Sequence, residues 1–299
     1  MAAPAPSTPT APSPLAEPSA HHAASAPHRD ADSENFPVAS FLLPRAIRAH
    51  VLAFYRFART ADDIADAPGL SPAAKVAALD RLEAVLDGAA PAGPGEATAA
   101  GYRASNRETG VSDRHGRDLL AAFRCDAANP RCADWADLMA YCRLSAASVG
   151  RFLIDLNGED RAAYPAADSL CAALQVLNHL QDLGEDLAEL DRVYLPLDWL
   201  AAEGATIEDL RRPALTPAMR RVVDRCLDAT DDLLAEAAVL PGALTRSRLR
   251  YEAAVILTIA ERLAGALRTG DPLAGRVALG KRERMACLLC GLLRAWCTP

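Results

Sequence analysis

The chain has 299 residues, 51% of them hydrophobic, and a formal net charge of −7 at neutral pH. That is enough apolar material for one large domain or two small ones, and the acidic balance excludes the basic face on which a nucleic-acid partner would rest. Alanine is abundant, aromatic residues make up only 5%, and alternating runs of Val, Ile and Thr are almost absent, so the chain is expected to be all-α.

Residues 1–33 are Pro, Ala and Ser with almost no large apolar side chain. Such a segment cannot offset the entropy of ordering, so it reads as a disordered tail ahead of a single all-α domain over 34–299. It lacks the charged start and apolar run of a secretory signal, and its adjacent His21 and His22 carry no site. From Phe36 onward helical patterns follow one another. Pro44 suits a first helical turn, and Pro68-Gly69 stops the helix near Ala67. A second helix is expected over 72–87. The stretch 88–110, rich in Gly, Ala and Pro, reads as a long loop; Gly93 and Gly95 follow no strand, so they make no dinucleotide fingerprint. Further helices are expected near 113–127, 134–156, 168–190, 216–239, 246–268 and 277–296, with Asp134 and Thr216 as N-caps and Pro217 at a first helical position.

The eight cysteines lie mostly within helical patterns and follow no secretory signal, as expected of reduced thiols in a cytoplasmic protein. Cys287, Cys290 and Cys297 have neither a second CxxC pair nor a nearby histidine to complete a zinc site, and read as small apolar core residues. No segment reaches the roughly 18 uninterrupted apolar residues that span a bilayer. "YEAAVILTIAERLAGAL" is broken by Glu261 and Arg262, and "MACLLCGLLRAW" by Arg294. Peripheral contact with a membrane surface through such helices remains open.

Two stripes carry the chemistry. On the first helix Tyr55, Arg59, Asp62 and Asp66 are spaced +4, +3, +4 and stack along one face. Such a stripe either faces solvent or lines a wet cavity inside a bundle. In "SLCAALQVLNHLQDLGEDLAELDRVYLP", Gln175, Asn178, Asp182 and Asp186 are spaced +3, +4, +4 among leucines. Two such helices facing each other would set four carboxylates across one cavity. Isolated buried carboxylates need cations, and carboxylates one turn apart, about 6 Å along the axis, suit a hard divalent ion. Mg²⁺ takes one or two carboxylates and completes its shell with phosphate oxygens and water, so the pattern implies a diphosphate ligand, with Arg59 as a direct phosphate contact. A third stripe, Asp224, Asp228 and Asp231, lies among Arg220, Arg221 and Arg225 and reads as a salt-bridged solvent face.

With these residues in place, the chain resembles the squalene/phytoene synthase family over most of 34–295. Asp62-Asp63-Ile64-Ala65-Asp66 resembles the family's first aspartate-rich motif, Asp182-Leu183-Gly184-Glu185-Asp186 its second, and "DRVYLP" (191–196) the segment that follows. The resemblance implies an isoprenoid-synthase helical bundle around a central cavity. It also implies Mg²⁺ held by Asp62, Asp66, Asp182 and Asp186, and diphosphate or pocket roles for Tyr55, Arg59, Gln175 and Asn178. Tyr141 matches a tyrosine that assists proton transfer or guides a cation, or else lines the cavity without a chemical duty. Arg192 and Tyr194 resemble later phosphate-side residues, or else cap the helix and start the next turn. His179 reads as a satisfied core or edge histidine.

Departures narrow the branch. The family's N-terminal phosphate segment is replaced by "SENFPVASFLLP" (33–44), and Gln181 stands where an arginine precedes the second motif. "ENFPVAS", "YCRLSAASVG" and "NHLQD" resemble the bacterial hopanoid-pathway branch, which takes presqualene diphosphate and water to hydroxysqualene and diphosphate. Mg²⁺ and Arg59 would draw off the diphosphate, the cation would rearrange in an apolar pocket, and water would capture it beside Tyr141 or Ser145. NADPH is not expected on this reading. The alternatives are a squalene or phytoene synthase that condenses two prenyl diphosphates, and a catalytically silent partner of other squalene-pathway enzymes.

Overall fold

The computed structural model describes residues 45–128 and 131–297, all within one compact unit. The N-terminal tail, Pro44 and the segment 33–44 lie outside the described residues. Thirteen α-helices follow one another among those described, and the β-type contact is an isolated bridge between Arg131 and Val193. The expected all-α class is what the chain adopts.

Helix α1 (Arg45–Asp66) stops just before Pro68, and α2 (Pro72–Asp87) matches its expected span. Ser71 caps α2 by accepting from the Ala74 N–H at 3.3 Å, and Gly88 ends it in the left-handed region at φ 77°, where glycine has no Cβ penalty. The loop expected over 88–110 is wrong in its second half, which forms α3 (Ala97–Thr109). Ala99, Tyr102, Ser105 and Asn106 repeat at helical spacing and are buried, so tertiary packing overrides the weak local propensity of a Gly- and Ala-rich stretch. Helix α4 (Arg114–Asp126) follows.

The helix expected over 134–156 is two, α5 (Trp135–Ser145) and α6 (Ala147–Asn157), broken at Ala146. The one expected over 168–190 is also two, α7 (Tyr164–Gln181) and α8 (Leu183–Leu190). A short α9 (Leu197–Glu203), which periodicity did not reveal, precedes α10 (Pro217–Ala237) and the single turn α11 (Leu240–Ala243). The last two helices are α12 (Ser247–Thr269) and α13 (Lys281–Cys297). Asp134 and Thr216 cap as expected, accepting from Asp137 N–H at 2.9 Å and Met219 N–H at 3.1 Å.

Two cores flank the polar stripes. One gathers α1 to α4 with Phe152 of α6, where Phe54 stacks on Phe152 at 4.2 Å and Phe57 on Tyr102 at 5.0 Å between ring centroids. The other joins α7, α10 and α12 through fully buried Leu177, Val222, Leu227, Leu257 and Leu263. Burying each such side chain contributes about 1.5–3 kcal/mol, enough to hold charged groups between the two cores. Of the C-terminal cysteines only Cys287 is buried; Cys290 and Cys297 are exposed, because the helix turns just one narrow face inward.

Candidate active site

The last turns of α1 carry the first stripe. Arg59 bridges within the helix, its guanidinium 3.2 Å from Asp62 and 3.0 Å from Asp63. Tyr55 lies half-buried one turn earlier. About a third (35%) of the Asp62 side chain is accessible, yet its carboxyl is pushed up to about 7, by burial first and by the neighbouring Asp66 charge second. Asp66 makes an ion pair with Arg192 at 2.7 Å. The same guanidinium donates to the Ala65 carbonyl at 3.2 Å, and Lys75 Nζ donates to that carbonyl at 2.7 Å. Two cations therefore meet the negative end of α1.

The second stripe crosses a kink. Asp182 alone separates α7 from α8, but its N–H donates to Asn178 O at 3.0 Å and its carbonyl accepts from Asp186 N–H at 2.8 Å. The helical register thus survives, and Gln175, Asn178, Asp182 and Asp186 keep a common face. Gln175 and His179 are within hydrogen-bond reach at 3.2 Å, and His179 Nδ1 lies 3.8 Å from Asp186. Asp182 is buried and ion-paired with Arg276, from the segment between α12 and α13. Gln181 explains how that cation arrives: its side chain donates to Val277 O at 2.5 Å and pins the segment against the kink. An arginine from 94 residues further on thus supplies positive charge beside the second motif, whose preceding position here holds glutamine.

Between the stripes sits Asp126, the last residue of α4, only 3% exposed. It accepts from the Tyr141 hydroxyl at 2.9 Å and from the Tyr194 hydroxyl at 2.8 Å, while Arg192 Nε donates to its carbonyl at 3.3 Å. Burial raises the Asp126 carboxyl above its usual range, against the pull of Arg192. Burial and then the Asp126 charge push both phenols upward, so each keeps its proton at neutral pH. Tyr194 stacks on His179 at 3.7 Å between ring centroids, and Tyr141 lies 5.2 Å from Tyr194. Asp191 turns the chain after α8 in the left-handed region (φ 51°), and Arg192 N–H donates to Asp186 O at 3.0 Å. Arg192 therefore closes the helix end with its backbone, and the side chains of Arg192 and Tyr194 reach the cluster.

A continuous path joins the stripes: Asp66 to Arg192, Arg192 to Asp126, Asp126 to Tyr194, Tyr194 to His179, His179 to Asp186. His179 is more central than expected. Asp126 and Arg276 were missed by sequence reasoning. An acid in the last turn of α4 opposes the helix dipole, which is the one signal that something must compensate Asp126; Arg276 gave none. Ser145 Oγ is buried and takes no hydrogen bond among the described residues. A cleft of about 370 Å³ at Ile47, Leu156 and Arg246–Arg248 holds none of the expected residues.

Among the described residues no three His, Cys, Asp or Glu side chains converge within metal-binding reach. The donors come in pairs. Asp62 and Asp66, two oxygen-bearing carboxylates one turn apart, one of them held up to about 7, fit a hard divalent cation whose shell is finished by phosphate and water. At the second pair Asp182 is already matched by Arg276.

Residues 29–283 match the family model for squalene/phytoene synthase. The chain is 43% identical over 256 residues to a hydroxysqualene synthase of Sinorhizobium fredii, covering 86% of each chain. It is 44% identical over 252 residues to a hydroxysqualene synthase of Rhodopseudomonas palustris, covering 84% of each. Among solved structures it is similar to the squalene synthase HpnC of Alicyclobacillus acidocaldarius, with a TM-score of 0.68, 31% identity, and 78% of this chain and 88% of that one covered. Matched over most of its length by the family model and by relatives 43% and 44% identical to it, the chain belongs to the squalene/phytoene synthase family.

Proposed function

We propose that the chain is the catalyst of the reaction presqualene diphosphate + water → hydroxysqualene + diphosphate. The observation that carries this reading is the buried Asp126–Tyr141–Tyr194 cluster, able to take up the proton that water loses and joined through Arg192 to Asp66 of the first stripe. The names of two relatives above 40% identity support it.

Asp62 and Asp66 on α1, with Asp182 and Asp186 on α7–α8, would hold Mg²⁺, which when bound supplies positive charge to the departing diphosphate. Arg59 leaves its intrahelical bridges for the phosphate oxygens, and Tyr55, Gln175, Asn178, Arg192 and Tyr194 complete the surroundings. The substrate C–O bond breaks, its electron pair leaves with diphosphate, and the carbocation rearranges. Water then adds through an oxygen lone pair. Its proton passes to the Tyr141 oxygen as the Tyr141 proton passes to Asp126, so the phenol relays without becoming a lasting anion. The buried Ser145 hydroxyl is the second group available to orient the water. No reductant is consumed, so NADPH has no part in the balanced equation.

We assign the whole of this chemistry to one domain over 34–299. No described helix is long and apolar enough to cross a membrane. The working site on this reading is the cytoplasm, with peripheral contact at the membrane that receives the apolar product.

Likeness to the Alicyclobacillus squalene synthase favours a second reading, a squalene synthase that joins two farnesyl diphosphates and reduces the cation with NADPH. Incubating purified protein with Mg²⁺ and presqualene diphosphate, beside a parallel farnesyl diphosphate reaction with and without NADPH, separates the two. Hydroxysqualene from the first and no product from the second is the expected result. Squalene from farnesyl diphosphate only when NADPH is present overturns it.

A further inference from the structure

Helix α13 is apolar on two sides. Its inner face is made of small residues, Cys287, Gly291 and Ala295, which are buried. The fit is close enough that a Cβ on Gly291 would lie 2.5 Å from the Val255 Cα on α12. Its outer face carries Met285, Leu289, Leu293 and Trp296, which are 56%, 57%, 65% and 79% exposed. Spaced +4, +4, +3, they form one stripe, flanked by exposed Ala286, Cys290 and Cys297. A soluble helix normally turns polar residues outward, and one that is apolar all round is covered by something.

Charge decides between occupants. Lys281, Arg282, Arg284 and Arg294 against Glu283 give α13 a net +3, in a chain whose total is −7. Arg282 continues the stripe one turn before Met285, and Lys281, Arg282 and Arg284 are exposed. A second copy docked on the same face offers a matching apolar stripe but no anion for the basic turn, because Glu283, the one acidic residue of α13, is paired with Arg262 at 3.0 Å. An anionic bilayer meets both features at once: acyl chains accept Leu and Met, Trp sits at the headgroup level, and the basic turn meets phosphate, while the acidic remainder is repelled and orients the molecule.

We propose that α13 is the face by which the protein lies on an anionic phospholipid surface, its Met285–Trp296 stripe immersed at the interface. This rests on the proposed reaction only in that an apolar product gives such docking a use. The test uses the full chain, reduced, without substrate. Vesicles of phosphatidylcholine containing about one third phosphatidylglycerol should sediment the wild type, and binding should fall with added salt. The triple variant Leu289→Gln, Leu293→Gln, Trp296→Gln should lower partitioning about tenfold or more and abolish the blue shift of tryptophan emission on vesicle addition. Lys281→Glu with Arg282→Glu should weaken binding severalfold and remove its salt dependence. All three stripe positions are exposed, so circular dichroism and turnover of detergent-dispersed presqualene diphosphate should be unchanged in the triple variant. Equal sedimentation of wild type and triple variant overturns the proposal. So does a lipid-free wild-type dimer that dissociates in the triple variant, which would make a second copy the occupant. So does binding that emerges only after deletion of residues 1–44, which would make the chain's own N-terminal segment the cover. Vesicle binding with no turnover in detergent would sink the reaction and leave the docking face standing.

Discussion

The two carboxylate pairs of the site look alike as sequence and differ as structure. Asp182 is buried and already matched by Arg276, with His179 near Asp186. At the first pair Arg59 is shared between Asp62 and Asp63, and the Asp62 carboxyl is held up to about 7 by burial and by Asp66. Asp66 in turn pairs with Arg192, so each pair has a carboxylate matched by an arginine from elsewhere in the chain, and the contrast lies between Asp62, whose carboxyl is raised, and Asp182, which is ion-paired. The difference teaches that carboxylates at one spacing can be accommodated in two ways, by a carboxyl that holds its proton or by an arginine that supplies the opposite charge.

Removing either pair's charge is the severest way to break this comparison. Asp62→Asn and Asp182→Asn are each expected to lower turnover of presqualene diphosphate about a thousandfold or more with helical content unchanged, read by product mass spectrometry and circular dichroism. Full activity in both variants would sink the assignment of these aspartates to Mg²⁺ and diphosphate. Next in size, Asp126→Asn should cost about a hundredfold in turnover, the effect of losing a positioned acid–base partner. A double-mutant cycle with Tyr141→Phe should show strong coupling, since one hydrogen bond links the two; additive losses would exclude the relay.

Arg276→Gln sharpens the contrast between the pairs. With its built-in competitor gone, the second pair should take up Mn²⁺ severalfold more tightly by titration calorimetry, while the first pair is unaffected. Unchanged affinity would mean that Arg276 does not occupy the metal's place. A smaller effect concerns pH. The folded-state Asp62 carboxyl titrates near 7 and its unfolded counterpart near 3.8, so the fold holds the extra proton within that window. Stability of the metal-free protein should therefore fall as pH rises from about 4 to about 7. The melting temperature of Asp62→Asn in chelator should lack that part of the decline, and parallel curves for variant and wild type would refute the assignment. The smallest effect belongs to α10. Asp228→Asn removes an exposed partner of Arg268 (2.8 Å) and should leave turnover within twofold and stability within about 0.5 kcal/mol.

That third stripe marks how far spacing alone reaches. Asp224 pairs with Arg220 at 2.8 Å, as the local spacing foretold, whereas Asp228 and Asp231 pair with Arg268 of α12, which no local spacing could name. The helical class, the ends of α1 and α2, the caps at Asp134 and Thr216 and the two aspartate stripes were legible because each depends on residues within a turn or two of one another. Helix α3 was not, because a Gly- and Ala-rich stretch becomes helical here by sealing Tyr102 against Phe54 and Phe57.

The same division holds for the site. Periodicity alone aligned Tyr55, Arg59, Asp62 and Asp66 on one face and Gln175, Asn178, Asp182 and Asp186 on another, and the chemistry of paired carboxylates called for a cation. Only the tertiary structure could bring Asp126 between two phenols 15 and 68 residues away, seat His179 on Tyr194, and deliver Arg276 to Asp182 across 94 residues. Contacts within a helix follow from its fixed rise and turn. Contacts between helices depend on how whole faces pack, and no local spacing records which distant residue that packing will deliver.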